Sequence, residues 1–266
     1  MLRTRAGQVL LIVAAFQGFR GASPGGCHAR VAGEQSRSGK LARLAQGCEI
    51  AVNDKSNDTL RDALARHNIE LPDEQIERLD RYARALWSWN EKLNLTRHTT
   101  YEKFVARDVV DALALERFLE SGERVLDVGT GGGVPGVVLA IVRPDLEIAL
   151  CDSVAKKAKA ARAIVAQVGL NVTVHHAPVQ ELLEREQFDT LVVRAVAPLS
   201  KLLGWLAPHW DAFNRLLVIK GPAWVEERQR AHDAGLLKRL QLRKLSTYPL
   251  PGTQSESVVL SIRPKE

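Results

Sequence analysis

Hydrophobic residues recur every three or four positions from Asp58 onward. This spacing predicts helices, because one face of a helix turns toward the core every 3.6 residues. The pattern predicts a short helix from Leu60, a longer one after Pro72, and a third over about residues 101–119. Together these helices are expected to form a small cap over residues 57–121.

The pattern changes at residue 122, where short apolar stretches alternate with helical patterns. Alternation of this kind is typical of a parallel sheet covered by helices on both faces. The predicted strands cover residues 124–128, 147–151, 172–175, 189–194 and 215–219.

Two further predicted strands, over residues 242–248 and 257–262, are separated by Pro249, Pro251 and Gly252 and by no helix. This connection predicts an antiparallel hairpin at the sheet edge. Such an ending differs from a dinucleotide-binding dehydrogenase and is typical of methyltransferases. We therefore predict an α/β fold in which residues 122–266 form a Rossmann-like, seven-stranded methyltransferase sheet behind the helical cap.

The net charge of +6 suggests nucleic-acid binding, but most of it lies near the N-terminus. Residues 1–56 contain eight Lys or Arg against three Asp or Glu, whereas the rest of the chain contains 29 against 28. Arg3 and Arg5 precede an apolar run over residues 9–16 that is too short for a membrane helix, which needs about 18 residues. The run resembles the start of a secretory signal, so export stays an alternative. We predict that residues 1–56 are a disordered or non-structural extension.

The chain has three cysteines, Cys27, Cys48 and Cys151. They are too few and too scattered for a disulfide framework or a zinc site. We therefore expect a reducing compartment, a cytoplasmic location and no bound metal. Because the apolar run over residues 9–16 is too short for a membrane helix, we also expect no membrane association. We take a monomer as the default.

A glycine-rich loop over residues 125–136 has the sequence VLDVGTGGGVPG, which predicts a strand, a turn and a helix start. Gly131, Gly133 and Gly136 match the spacing of a nicotinamide site. Asp127 favours a different cofactor, because a carboxylate there would repel a pyrophosphate but attract the ammonium and sulfonium of S-adenosylmethionine. The alternative is that Asp127 caps the amides of the turn.

A second acidic residue, Asp152, ends the second predicted strand. A carboxylate at that position can accept hydrogen bonds from both hydroxyls of a ribose. The alternative is that Asp152 caps the helix that begins near Val154.

Several motifs in a fixed order carry a resemblance to a known family. They are Trp89-Asn90, Asn94-Leu95-Thr96, residues 127–136, residues 141–144, Asp152-Ser153, Val193-Arg194-Ala195 and Ile219-Lys220-Gly221. Over about residues 57–264, the sequence resembles the RsmG family, also called glucose-inhibited division protein B.

The resemblance implies an enzyme that methylates N7 of a guanine in 16S ribosomal RNA, using S-adenosyl-L-methionine as the cofactor. The substrate would be the RNA itself or an assembly intermediate of the small ribosomal subunit. The resemblance places cofactor contacts at Gly129, Val134, Val179, Gln180 and Arg194, which Asp152 joins through the ribose argument.

The chain departs from the family pattern at two positions. The family often has an acidic residue where Gln180 stands, and often histidine where Asp108 stands. Both departures bear on whether the chain is an active enzyme or a ribosome-associated RNA-binding protein without activity.

The residue types indicate no general base, and the catalytic residues are unknown from sequence. Guanine N7 has a free in-plane lone pair and reacts without losing a proton, so none is needed. The sequence contains no recognisable Ser-His-Asp arrangement, carboxylate pair or metal-ligand cluster. A nicotinamide-dependent reductase and a methyltransferase with another RNA or a small-molecule acceptor remain the rival enzymes.

Basic residues at segment ends are the candidate RNA contacts. They are Arg97, Arg107, Arg194, Lys201 and Lys220. We expect Lys220 to be exposed, because it precedes a Gly-Pro turn. A further basic run, Lys156, Lys157, Lys159 and Arg162, fits a solvated helix face better than a phosphate-binding track.

Overall fold

The computed structural model describes residues 58–265. The extension predicted over residues 1–56, with Cys27 and Cys48, lies outside the described residues. The remaining cysteine, Cys151, is buried, and burial raises the pKa of its thiol to about 12. This thiol is therefore a core side chain and not a reactive group.

Two helices of the predicted cap form as the periodicity indicates. Helix α1 (Leu60–Arg66) begins with a capping box, in which Thr59 accepts a hydrogen bond from the amide of Asp62 and the Asp62 carboxylate accepts one from Thr59. Helix α2 (Asp73–Asn90) follows Pro72 and buries one apolar face that includes Tyr82 and Leu86.

The third cap helix is not continuous. It consists of α3 (Tyr101–Lys103), a π-helical segment (Phe104–Val109) and α4 (Val110–Glu116). Hydrophobic spacing predicted one helix here, since the apolar positions do not reveal a local change of helix type. Asp108 in the π-helical segment and Asp111 in α4 are both buried. π-Helical turns of this kind are frequent at functional sites.

All seven predicted strands are present, and their ends agree with the predicted ones to within a few residues. They are β1 (Arg124–Val128), β2 (Glu147–Asp152), β3 (Thr173–His176), β4 (Phe188–Arg194), β5 (Phe213–Lys220), β6 (Leu240–Pro249) and β7 (Glu256–Pro264).

The strand order is β3-β2-β1-β4-β5-β7-β6. The first five strands in this order are parallel, while β7 runs antiparallel to both β5 and β6. The predicted hairpin at the sheet edge is therefore confirmed. The C-terminal ends of the five parallel strands lie along one side of the sheet, which we call the carboxyl edge, and ligands of open α/β sheets bind there.

Helices cover both faces of the sheet. They are α5 (Gly136–Val142) and α6 (Ala155–Val168), which share one core with the cap, and α7 (Val179–Leu183), α8 (Leu199–Leu206) and α9 (Trp224–Asp233) on the opposite face. Successive residues of β1 alternate between these cores, with Val125 in the first and Leu126 in the second. None of the helices within residues 58–265 has both the length and the apolar character that crossing a membrane would require.

Candidate active site

The glycine loop connects β1 to α5 at the carboxyl edge. Gly129, Gly131 and Gly133 have φ angles of +69°, +57° and +107°, in the left-handed region that glycine adopts without steric cost. A side chain at Gly131 would meet no atom within 4 Å, whereas one at Gly129 would come within 2.7 Å of Val196. The loop therefore presents its backbone to open space at Gly131.

Asp127 holds the loop in this shape. One carboxylate oxygen, Oδ2, accepts hydrogen bonds from the Thr130 hydroxyl at 2.6 Å and from the Gly136 amide at 2.9 Å. The capping role considered for Asp127 is therefore present in the structure. The other oxygen, Oδ1, is buried and has no hydrogen-bond partner among the described residues.

Burial raises the pKa of Asp127 to about 6, although the hydrogen bonds from Thr130 and Gly136 and the charge of Arg194 lower it. A buried carboxylate with a free oxygen and a raised pKa is stabilised by any cation placed beside it. The Asp127 carboxyl group therefore suits a positively charged ligand.

Asp152 links the first two strand ends. Its Oδ1 accepts a hydrogen bond from the Val154 amide at 2.8 Å, and its Oδ2 accepts one from the Gly131 amide at 3.0 Å. The contact with Val154 is the helix-start capping considered from sequence. Each oxygen of an ionised carboxylate can accept a second hydrogen bond, so this arrangement orients the group without saturating it.

The other predicted cofactor residues lie along the same edge. Gly129 follows β1, and Val134 is in the loop with 8% of its surface exposed. Val179 begins α7 after β3, and its side chain belongs to the core, so its backbone is what a ligand could reach. Gln180 is half-buried beside it. The topology brings the ends of β3, β2, β1 and β4 together along the carboxyl edge.

Arg194 ends β4, and its side chain turns toward the cap. The guanidinium pairs with Asp108 at 2.8 Å and with Asp111 at 3.0 Å. Burial alone would lower the pKa of Arg194, but the two aspartates raise it above its ordinary value. Tyr248 of β6 donates a hydrogen bond to Asp111 at 2.7 Å, so the cluster joins the cap, the sheet and the terminal hairpin.

The departure from the family pattern at Asp108 has a structural partner that sequence reasoning missed. His98, in the segment after α2, places its Nδ1 2.8 Å from the Asp108 Oδ1 that also receives Arg194. Asp108 is fully buried, and its Oδ2 has no partner among the described residues. No local signal marks His98, because the contact spans two segments whose relative position the sequence pattern does not define.

Backbone strain marks the end of β4. Ala195, directly after Arg194, has a φ of +55°, which is unusual for a residue other than glycine. Such strain persists only where the surrounding structure imposes it, and it is concentrated at functional sites.

Two of the candidate RNA contacts are not available as predicted. Lys220 was expected to be exposed but is 9% exposed, because its amino group pairs with Glu227 of α9 at 2.7 Å and donates to the Ala197 carbonyl at 2.7 Å. Arg194 is likewise occupied by its two aspartates. The lysine Lys201 is exposed and lies 5.3 Å from the ring centre of Trp205.

The remaining candidates differ in exposure. Arg107 is half-buried, and its Nε has no hydrogen-bond partner among the described residues. Lys157 is also half-buried. The exposed ones are Arg97, Lys156, Lys159 and Arg162.

Known proteins resemble this chain over most of its described length. The family model described as rRNA small subunit methyltransferase G matches residues 75–251. The ribosomal RNA small subunit methyltransferase G of Rhodopirellula baltica is 47% identical over 194 residues, which are 73% of this chain and 84% of that protein. The protein of the same name from Desulfitobacterium hafniense is 35% identical over 196 residues, covering 72% of this chain and 81% of that protein.

Among solved structures, the similarity is more distant. TrmK of M. capricolum in complex with S-adenosyl-homocysteine has a TM-score of 0.47 and 12% sequence identity, covering 59% of this chain and 68% of that chain. A similarity at this level carries no argument about the site.

Proposed function

The chain belongs to the rRNA small subunit methyltransferase G family, and from that premise we propose that it transfers the methyl group of S-adenosyl-L-methionine to N7 of a guanine in 16S ribosomal RNA. Membership in this family sets aside the nicotinamide-dependent reductase considered from sequence. The residues at the carboxyl edge therefore have to account for the binding of S-adenosyl-L-methionine.

The observation that carries the proposal is the pair of acidic residues on either side of the glycine loop. Asp127 has a free, buried oxygen, which suits the positive charge of the cofactor's ammonium or sulfonium. Asp152 is oriented by two amides and retains acceptor sites for the two ribose hydroxyls. The pyrophosphate of a dinucleotide cofactor would be repelled by the Asp127 carboxylate, whereas a ribose-binding carboxylate such as Asp152 suits either cofactor.

The same edge supplies further contacts for the cofactor. We propose backbone contacts at Gly129, Val134 and Val179, and a side-chain contact from Gln180 to the adenine. Arg194 would act from behind the site, because its guanidinium is held by buried aspartates. Its positive charge lowers the pKa of Asp127 and so helps to keep that carboxylate ionised.

The bound cofactor supplies an electrophilic methyl group. The protein's task is to orient guanine N7 in line with that methyl and to exclude water. Because N7 attacks through a free lone pair, the reaction needs no general base. Holding the reactants in a near-attack geometry contributes about 7–11 kcal/mol to lowering such a barrier. We also propose that the protein works in the cytoplasm, on free RNA or on an assembling small subunit.

The experiment incubates the full chain with methyl-labelled S-adenosylmethionine and small-subunit RNA from a strain that lacks the enzyme. Labelled N7-methylguanine is then mapped by borohydride reduction and aniline cleavage. We expect one modified guanine, whose labelling is lost in Asp152→Ala. The matched control is Asp211→Ala, which removes an exposed aspartate away from the carboxyl edge. Cofactor binding without any labelled guanine would refute the proposed acceptor.

A further inference from the structure

Positive charge is concentrated at the C-terminal end of the described chain. Residues 58–233 contain 23 Lys or Arg against 26 Asp or Glu, whereas residues 234–265 contain six against one. The segment that enters β6, together with the β6–β7 hairpin, therefore holds the excess positive charge of the folded part. The near-neutral total over residues 57–266 conceals this.

The hairpin brings most of these charges to one end of the sheet's outer edge. Strand β6 is the last strand of the sheet, and its beginning pairs with the end of β7, Leu240 lying opposite Pro264. Five exposed basic residues that lie within four positions of Leu240 or Pro264 along the chain form the group that we call the hairpin cations. They are Lys238, Arg239, Arg243, Lys244 and Lys265.

No carboxylate of residues 58–265 neutralises the hairpin cations. Within residues 58–265 none of the five forms an ion pair, and the amino group of Lys265 donates to the carbonyl of Lys238 at 2.8 Å. The single acidic residue of this segment, Glu256, lies at the opposite end of the hairpin, beside Pro249. A cluster of exposed, unpaired cations attracts phosphate groups and contributes to nucleic-acid binding without reading sequence.

The hairpin cations are separate from the carboxyl edge. The far end of β6 contacts the cap through Tyr248 and Asp111, near the candidate active site. At about 3.3 Å per strand residue, Arg243 lies about 17 Å from Tyr248 along the strand. A structured RNA spans such a distance, whereas a single bound nucleotide does not.

An edge strand can also carry charge for a different reason. Lysines and bulges on an outer strand prevent it from pairing with another sheet, and β6 has a register irregularity between Lys244 and Ser246. This explanation needs charge on the strand itself. It does not account for Lys238, Arg239 and Lys265, which precede β6 or follow β7.

We propose that the hairpin cations bind phosphates of the ribosomal RNA at a distance from the methylated guanine and so anchor the substrate. The identity of the RNA rests on the proposed function. The charge, its exposure and the lack of carboxylate partners within residues 58–265 are observations on the chain itself.

The test compares the full chain with a variant that carries Lys238→Gln, Arg239→Gln, Arg243→Gln and Lys244→Gln. Affinity for unmethylated small-subunit RNA is measured at several salt concentrations. Log affinity falls linearly with log salt, and each lost phosphate contact reduces the magnitude of that slope by about 0.7 to 0.9. We therefore expect the slope to become shallower, its magnitude falling by about 3, and the KM for RNA to rise by about tenfold or more. The kcat and the cofactor Kd should be unchanged.

A control variant removes four exposed cations elsewhere that also have no carboxylate partner within residues 58–265. The changes are Arg81→Gln, Arg117→Gln, Arg228→Gln and Arg230→Gln. This variant should keep most of the slope. A second control, Lys238→Arg with Lys244→Arg, keeps the charge and should bind RNA as the unaltered chain does. Thermal melting establishes that each variant is folded.

Three results would overturn the proposal. They are an unchanged slope and KM, an equal loss in the variant with the four distant substitutions, and self-association of the hairpin variant while its monomer binds RNA normally. The last result would assign the charges to edge protection. If the unaltered chain binds RNA through these cations but methylates nothing, the proposed function fails and this proposal stands. If it does not bind RNA at all, both fail.

Discussion

Acidification should weaken cofactor binding through one carboxyl group. Burial raises the pKa of Asp127 to about 6 in the apo protein, despite hydrogen bonds from Thr130 and Gly136. The sulfonium of S-adenosylmethionine is a permanent cation, and its ammonium remains protonated in this pH range. A cation beside Asp127 favours the ionised form of the carboxyl, so binding should release a proton wherever the apo group is protonated.

The size of the effect follows from Coulomb's law. A positive charge about 5 Å from the carboxylate, at an effective dielectric of about 20, contributes about 3 kcal/mol. That energy lowers the pKa of Asp127 by about two units, to about 4. As the pH falls from about 7 to 5, Asp127 therefore becomes protonated in the cofactor-free protein but stays ionised in the complex. Affinity should therefore fall about tenfold over that interval, and binding at about pH 6 should release about half a proton.

Isothermal titration calorimetry measures both quantities, if each pH is examined in two buffers with different ionisation enthalpies. Asp127→Asn should bind the cofactor more weakly at neutral pH and lose the pH dependence. Asp152→Asn is the matched control, which should weaken binding but retain the fall in affinity with acid. Equal affinity of the unaltered chain at about pH 5 and pH 7, or an unchanged pH dependence in Asp127→Asn, would refute the reasoning.

Three further predictions concern packing and buried charge. Gly136→Ala places a Cβ 2.3 Å from a core leucine and should lower the unfolding free energy by about 1–3 kcal/mol in a thermal or urea melt. Gly204→Ala, in α8 with open space around it, should be neutral or raise the unfolding free energy by up to about 1 kcal/mol. Equal effects of the two substitutions would contradict this packing. Arg194→Met removes the guanidinium that pairs with both buried aspartates, which leaves Asp108 beside His98 and Asp111 with the hydrogen bond from Tyr248. The unfolding free energy should fall by about 3–5 kcal/mol, and replacing both aspartates by asparagine in the same chain should recover most of that loss. Lys220→Met should lower the unfolding free energy by about 1–3 kcal/mol, because the bonds to Glu227 and to the Ala197 carbonyl are lost. The affinity for RNA should be unchanged in a binding assay. A large loss of RNA affinity would show that Lys220 is exposed in solution.

Most of the fold could be predicted, because it depends on local patterns. Apolar stretches of strand length and the glycines after β1 are readable without knowing where the rest of the chain lies. The same is true of Asp127 and Asp152, since a residue that ends a parallel strand is brought to the carboxyl edge by topology alone. The absence of a helix between β6 and β7 was enough to predict the antiparallel hairpin that the sheet contains.

Tertiary structure decided which distant groups meet. The sequence around Lys220 reads as an exposed turn, but a glutamate of the next helix reaches back and buries it. Arg194 reads as a ligand contact, and only the tertiary structure shows that its charge is also compensated by buried aspartates of the cap. The contact of His98 with Asp108 depends on how the segment after α2 packs against the π-helical segment, and Lys265 reaches Lys238 only because β6 and β7 pair. Periodicity reports which face of an element is apolar, whereas charge pairing depends on atomic distances between elements, and a shift of a few ångströms changes both the partner and the solvent exposure.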